Sequence, residues 1–381
     1  MDTIRLGIVG LGNIASQHID NVNSGQAGPF ELTAVCSRTR TPYAENLGVQ
    51  HFAKQADLYA SGLCDAVLIA TPTFDHLHAG KAALDAGLHV MMEKPIGLSL
   101  AEGEQLLAAK SDDQIFALML NQRSDPLFVA MREHITAGTL GEITRTHWTM
   151  TNWFRPEVYF QVSEWRATWK GEGGGLLVNQ CIHNLDIFQW LCGMPESVWA
   201  ECAFGRYHDI EVEDEATALL KYHSGATGLF VGSTGEAPGV NRFDIIGDRG
   251  SLNFDGQRLS LTRNSPATGE FSRNTKEMFG VPDATTEDIT PDRDINQHAA
   301  VMRNFAAAIQ RDEPLLAAAE EGLNSLALAN AMLLSSWESR EVTFPLDAVT
   351  YQQALDQRID GSALRKRADI EANIDMGASY R

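Results

Sequence analysis

Residues 4–15 read Ile4-Arg5-Leu6-Gly7-Ile8-Val9-Gly10-Leu11-Gly12-Asn13-Ile14-Ala15. An apolar run of strand type passes without a break into G-x-G-x-x-A, and no other feature constrains the chain as much. Gly10 permits a tight turn after the strand. Gly12 lets the backbone approach a pyrophosphate with no Cβ in the way, and Ala15 keeps the next helix close to the sheet. The helix start at Asn13 and Ile14 offers unpaired N–H groups to an anion. Directly after a strand, in a βαβ rhythm, the pattern predicts a dinucleotide-binding turn.

That rhythm continues to about Leu120. Strand candidates at Leu6-Val9, Leu32-Cys36, Ala66-Ala70, His89-Met92 and Ile115-Leu120 alternate with helix candidates at Ile14-Val22, His78-Ala86 and Leu100-Lys110. Apolar strands separated by helices indicate a parallel sheet covered on both faces. After Pro126 come a helix (Leu127-Ala137), an alternating segment (Glu142-Trp153) and a second helix (Leu176-Leu191). Strand-like runs then follow at Val198-Phe204, Ala216-Tyr222, Ala226-Ser233, Phe243-Gly247 and Ser251-Phe254. Links such as His223-Ser224-Gly225 suit hairpins. The expected fold class is therefore α/β: an N-terminal Rossmann domain over 1–124, then an α+β domain over 125–345 with an open, mostly antiparallel sheet. Residues 346–381 form a charged, peripheral-looking C-terminal extension. Residues 264–294 are polar and aperiodic, and a loop that long is expected to be a lid or a subunit contact. Helical patterns return at His298-Ile309 and Glu320-Ser339.

Composition narrows the partners. With 381 residues and 44% apolar content, the chain exceeds what one core usually fills. Fifty acidic against 30 basic residues give a net charge of −20, which repels phosphate backbones and anionic headgroups; nucleic acid and membrane are not expected partners. Cys36, Cys64, Cys181, Cys192 and Cys202 are scattered, with no C-x-x-C. This pattern predicts reduced thiols in the cytoplasm and no metal site.

The end of the second strand chooses between cofactors. An acidic residue there would accept from the ribose 2′-OH of NAD; the chain has Cys36-Ser37-Arg38-Thr39-Arg40 instead. Ser37 can donate to a 2′-phosphate and Arg38 can pair with it, so NADP(H) is favoured, with NAD(H) the alternative. The strand His89-Met92 ends in Glu93-Lys94-Pro95. Ligands of open parallel sheets bind at the carboxyl ends of the strands, so Lys94 is expected at the nicotinamide and suited to proton exchange with a hydroxyl or carbonyl. Thr71 and Pro72, ending the previous strand, are expected along the same side of the cofactor. His76, further along, reads as a helix-entry or packing residue beside that site rather than a catalyst.

Gly173-Gly174-Gly175 precedes the helix pattern from Leu176. Three glycines weaken a chain unless its backbone must come close to something. At helical periodicity Leu177, Cys181, Leu185 and Phe188 form an apolar stripe, and Asn179, His183 and Asp186 share the opposite face. Upstream, Trp153, Arg155, Tyr159, Trp165 and Arg166 mix aromatic faces with cations, which suits the C–H faces and hydroxyls of a sugar or cyclitol.

These residues together resemble the GFO/IDH/MocA family (glucose–fructose oxidoreductase, inositol dehydrogenase, rhizopine catabolism). The matching pieces are Gly10-Leu11-Gly12-Asn13-Ile14-Ala15, Ala70-Thr71-Pro72, Glu93-Lys94-Pro95, Asn121-Gln122-Arg123, and Gly173-Gly174-Gly175 with His183 and Asp186. The resemblance covers residues 1 to about 345. It implies NAD(P)-dependent oxidation of a sugar or polyol hydroxyl, with Glu93, Gln122 and Arg123 joining the cofactor set. It also implies a homodimer or homotetramer formed through the C-terminal sheet. Many members carry an aspartate four residues before the catalytic histidine; Asn179 stands there. An amide orients a hydroxyl but cannot exchange its proton, so His183 becomes the main acid/base, Lys94 polarises or relays, and Asn179 positions the substrate. Two alternatives share the fold: a redox-neutral lyase or glycosidase that restores its cofactor, and a non-enzymatic NAD(P)-binding regulator.

Overall fold

The computed structural model describes residues 3–363. To a first compact unit belong the residues up to Ser124, Lys170–Gly173 and Asp294–Ala327; to a second, Asp125–Trp169, Gly174–Arg293 and the residues from Leu328 on.

The first unit holds β1 (Ile4–Val9), β2 (Phe30–Cys36), β3 (Gln50–Phe52), β4 (Ala66–Ile69), β5 (His89–Met92) and β6 (Phe116–Leu118), in the order β3-β2-β1-β4-β5-β6. All neighbours are parallel. Every residue of β4, and all of β5 after His89, is buried, as a parallel sheet covered on both faces requires. The helices Asn13–Asn23, His76–Asp85 and Leu100–Ala109 make the crossovers. Sequence reading missed β3 and the short helices Pro42–Asn46 and Gln55–Tyr59, which are too short to display a period. Residues 294–327, grouped by the sequence with the C-terminal half, pack in the first unit. Val301, Met302 and Phe305 of the helix Gln297–Arg311 complete a core with Ile8, Ile19, Val35 and Leu68.

The second unit carries β7 (Ile143–Met150), β8 (Ser197–Phe204), β9 (Glu213–Lys221), β10 (Thr227–Ser233), β11 (Asn241–Gly247), β12 (Gly250–Phe254), β13 (Leu259–Ser265), β14 (Asp283–Ile289) and β15 (Val342–Thr343). Their order is β14-β13-β12-β11-β7-β10-β9-β8-β15. Only β7 and β10 run parallel; the sheet is mostly antiparallel. Along β9 Ala216, Ala218 and Leu220 are buried while Thr217, Leu219 and Lys221 are exposed, the period-2 signature of a sheet with one covered face. Aromatic rings hold the cover. Phe188 of the helix Ile182–Cys192 meets Phe230 and Phe243 at 6.0 and 5.6 Å, and Phe128 of the helix Pro126–Thr136 meets Phe254 at 5.5 Å.

Three expectations are corrected here. The helix expected from Leu176 begins at Ile182. Residues 264–294 are no bare excursion: they contain the end of β13, the helix Thr268–Asn274 and the edge strand β14. Polar residues hid these elements, because an edge strand wet on both faces has no apolar alternation to read. The C-terminal extension is not merely peripheral: the helix Ala348–Gly361 buries Tyr351 and Leu355, with Tyr351 stacked on Trp337. The rest of the extension, from residue 364, lies outside the described residues. Among the described residues no helix is long and apolar enough to cross a membrane.

Candidate active site

In the first sheet β1 has β2 on one side and β4 on the other, so the order reverses there and the carboxyl edge opens a ligand crevice. The expected cofactor residues follow the strands along this edge: Gly10 to Ile14 after β1, Ser37 and Arg38 after β2, Thr71 and Pro72 after β4, Glu93 and Lys94 after β5, Gln122 and Arg123 after β6. Gly10 has φ +92°, and a Cβ there would lie 2.6 Å from the Ala70 carbonyl oxygen, so the protein itself demands this glycine. Gly12 differs: it has φ −80° and a Cβ would meet nothing within 4 Å. It caps the helix Asn13–Asn23 with no side-chain hydrogen bond, and no acidic residue stands in the first turn. An uncapped, acid-free helix start beside open space fits a pyrophosphate. Thr71 Oγ1 and Gln122 Oε1 are buried without a hydrogen-bond partner, which fits polar groups held for a ligand.

After β2, Ser37 Oγ donates to the Thr39 carbonyl at 2.9 Å and lies 3.0 Å from His51 Nε2. Arg40 stands 3.6 Å from Glu45, and Arg38 is exposed. The protein therefore already engages Ser37, and Arg38 is the side chain open to a 2′-phosphate.

Three residues of this edge turn their side chains into the protein: His76, which the sequence reads as a packing residue, and Glu93 and Arg123, which the resemblance assigns to the cofactor set. His76 is buried; its Nδ1 lies 2.7 Å from the Pro95 carbonyl oxygen and its Nε2 3.0 Å from that of Thr71. Burial, the largest influence, lowers its basicity. It ties the β4 turn to the cis Lys94-Pro95 turn. Glu93 accepts from His18 Nε2 at 2.7 Å. Arg123, fully buried, donates to the Leu316 carbonyl and to Glu321. For Glu93 and Arg123 the sequence does not show the direction in which the side chains turn. Sequence reading missed His18, which looked like one more helical residue.

In the second unit the glycine run has a protein partner. A Cβ on Gly175 would lie 2.3 Å from the Glu213 carbonyl oxygen. Buried Glu213 takes the Gly175 and Leu177 N–H groups on its carboxylate, at 2.9 and 2.8 Å, and the Leu176 N–H on its carbonyl at 2.9 Å. Those three bonds tie the turn to the start of β9. Asn179 stands in this lead-in turn, not on the helix, while His183 occupies the first helical turn and Asp186 the second. His183 and Asp186 are buried, so the polar stripe is not a solvent face.

The aromatic segment packs against the same turn. Trp153 Nε1 donates to Asn184 Oδ1 at 3.2 Å, and Gln180 Nε2 to the Tyr159 hydroxyl at 3.2 Å. The Arg155 guanidinium lies over Trp153 and Tyr159, at 5.1 and 5.3 Å. That of Arg166 lies over Tyr159 and Trp165, at 4.5 and 4.8 Å. Arg166 also donates to the Tyr159 hydroxyl at 2.8 Å. The structure thus groups Trp153, Arg155, Tyr159, Trp165 and Arg166, with Gln180 as a member that sequence reading missed.

A doubly wound parallel sheet, with a glycine turn and an open helix start at its switch point, is a dinucleotide-binding architecture. Residues 4–119 match the family model described as "Oxidoreductase family, NAD-binding Rossmann fold", and residues 132–344 match "Oxidoreductase family, C-terminal alpha/beta domain". The chain belongs to the GFO/IDH/MocA family of NAD(P)-dependent oxidoreductases. It is 25% identical over 351 residues to the myo-inositol 2-dehydrogenase of Thermotoga maritima, covering 89% of this chain and 98% of that one. It is 28% identical over 358 residues to the scyllo-inositol 2-dehydrogenase (NADP(+)) of Bacillus subtilis, covering 90% and 96%. Among solved structures, the WlbA dehydrogenase of Bordetella pertussis in complex with NADH and UDP-GlcNAcA is similar, with TM-score 0.75 and 26% identity over 91% of this chain and 100% of that one.

Proposed function

We propose that the protein oxidises a hydroxyl of a sugar, sugar derivative or cyclitol, or reduces the matching ketone, with NADP(H) favoured over NAD(H). The observation that carries the reading is Lys94 at the carboxyl end of β5 in a β3-β2-β1-β4-β5-β6 sheet, on the edge that also carries the open helix start. The dehydrogenases of inositols and of a nucleotide sugar named above support the substrate class. Gly12, Asn13 and Ile14 would hold the pyrophosphate, Arg38 a 2′-phosphate, and Thr71, Pro72 and Gln122 the nicotinamide half. When bound, the nicotinamide supplies the hydride acceptor.

In this reading His183 and Lys94 are the proton-transfer groups, His183 as the main acid/base and Lys94 as a polarising or relaying group. Asn179 orients a neighbouring hydroxyl, since a side-chain amide donates and accepts hydrogen bonds but does not act as an acid or base near neutral pH. Trp153, Arg155, Tyr159, Trp165 and Arg166 form the wall for the C–H faces and hydroxyls of the substrate. Five scattered cysteines with no C-x-x-C support a cytoplasmic setting, and we place the oligomer contact on the exposed face of the second sheet.

The test is absorbance of the reduced nicotinamide with NADP+ or NAD+ and a panel of sugars and cyclitols. Lys94→Ala and His183→Ala should each lose about 10²–10⁴-fold in turnover, the span of general acid–base catalysis, while still binding cofactor. Full activity of His183→Ala removes the assignment. Arg38→Ala should weaken NADP(H) roughly tenfold and spare NAD(H), as expected for one charge-assisted contact.

A further inference from the structure

The aromatic wall of the second unit holds one polar hydrogen that no protein group takes. Tyr159 stands in the short helix Glu157–Gln161, which its neighbour anchors: Phe160 is buried, and its ring meets that of His208 at 4.6 Å. On the other side of Tyr159, the Arg155 backbone is held twice. Its carbonyl oxygen lies 2.8 Å from His208 Nε2, and its N–H donates to the Thr234 carbonyl at 2.9 Å. Tyr159 is therefore carried on a fixed backbone, and all these residues lie in the second unit.

The hydroxyl of Tyr159 is met by donors. Arg166 Nη1 lies 2.8 Å from it and Gln180 Nε2 3.2 Å. A guanidinium only donates, and so does an amide nitrogen, whereas a hydroxyl offers two lone pairs and one hydrogen. The two donors thus occupy the accepting side of the oxygen, and its hydrogen has no acceptor among the described residues. The ring is engaged as well. The guanidinium groups of Arg166 and Arg155 lie over it, 4.5 and 5.3 Å from its centroid, and the Phe160 ring meets it edge-on at 5.1 Å. Trp153 differs, because its Nε1–H is already spent on Asn184 Oδ1 at 3.2 Å. What Tyr159 has left for a ligand is a hydrogen, and not a ring face. Hydrogen bonds in a chain polarise one another, so a phenol that accepts from a guanidinium is a stronger donor than a free one. Gln180 also ties this hydroxyl to the turn that holds Asn179 and leads into the helix of His183.

We infer that Tyr159 is a specificity-determining residue: its O–H donates to an oxygen of the sugar or cyclitol other than the one oxidised, while Arg166 and Gln180 hold the phenol oxygen from behind. This rests on the reading of the protein as a sugar or cyclitol oxidoreductase. A substrate that lacks the accepting oxygen leaves that hydrogen unpaired, which is how such a site rejects it.

The test uses the full chain with NADP+ and whichever of myo-inositol, scyllo-inositol and the hexoses of the panel turns over fastest, together with the monodeoxy analogues of that compound. Tyr159→Phe should raise KM about tenfold, as expected for one neutral hydrogen bond, the loss falling on KM rather than on kcat. One monodeoxy analogue, the one without the accepting oxygen, should show no such difference between wild type and Tyr159→Phe. Gln180→Glu places a carboxylate that takes the Tyr159 hydrogen for itself. It should therefore raise KM further than Gln180→Leu, which leaves the hydrogen to the substrate. If Tyr159→Phe fails to fold, as melting and NADPH binding would report, the two Gln180 variants decide. An unchanged KM in Tyr159→Phe overturns the proposal, and so does a loss of equal size on the parent compound and every monodeoxy analogue. A Gln180→Leu KM at or above that of Gln180→Glu overturns it too, because that ordering belongs to an amide turned the other way, with its oxygen accepting from Tyr159. A wild type that turns over no sugar or cyclitol ends the functional reading and this inference with it, so the two failures are distinguishable.

Discussion

Gly10 and Gly12 sit two residues apart and answer to different masters. At Gly10 a side chain would enter the left-handed region and press on the Ala70 carbonyl. Gly10→Ala should therefore cost about 1–3 kcal/mol of stability, lowering the melting temperature with or without cofactor. At Gly12 the backbone is ordinary and the space is open, so Gly12→Ala should leave the apo melting temperature within a degree or so and lose the stabilisation that added NADPH confers by mass action. Equal destabilisation of both apo variants would remove the assignment of Gly12 to a ligand. Both glycines were legible in the sequence, because the motif pairs a turn with a helix start. The braces Glu93 and Arg123 were not: a strand end names the edge a residue occupies, but these two side chains turn back into the protein, toward partners 75 and 198 positions away.

The glycine run before His183 shows the same limit for an element. Periodicity from Leu176 reads as helix, and nothing local forbids it. The run's partner lies 36 to 38 residues on, where the carboxylate of Glu213 takes two of its amides. A residue buried at the start of β9 thus anchors the turn that leads into the helix carrying His183, and the sequence shows only that the glycines must approach something. Glu213→Gln can satisfy one of those two amides and not both. Losing a hydrogen bond to a buried charged acceptor costs about 1.5–3 kcal/mol. The variant should melt earlier by that much, and amide exchange at Gly175 and Leu177 should speed up ahead of exchange in β9. Unchanged protection at both amides would show that the turn holds without the carboxylate.

Across the whole molecule, the second sheet leaves apolar area that the described residues do not cover. Register places Trp199 of β8 opposite Leu219 of β9, and Leu219 opposite Leu229 of β10. Trp199 is 48% exposed and Leu219 47%. Single exposed apolar residues are ordinary, but an aligned row across three strands is the kind of patch that marks an interface. The burial alternation along β9 sets Leu219 on the uncovered face; what no pattern supplies is the number of subunits. A specific interface of standard size needs about 800 Å² from each partner, and a charge at the centre of such a patch is desolvated without a counter-ion, at a cost of several kcal/mol. Leu219→Glu should therefore dissociate the assembly without unfolding it, since its side chain lies off the covered face. Light scattering should give the wild type a mass at least twice the 41.7 kDa of one chain and the variant the mass of one chain, with similar melting of the secondary structure. A wild type that already scatters as a single chain at micromolar concentration would end the case for this face as a self-contact.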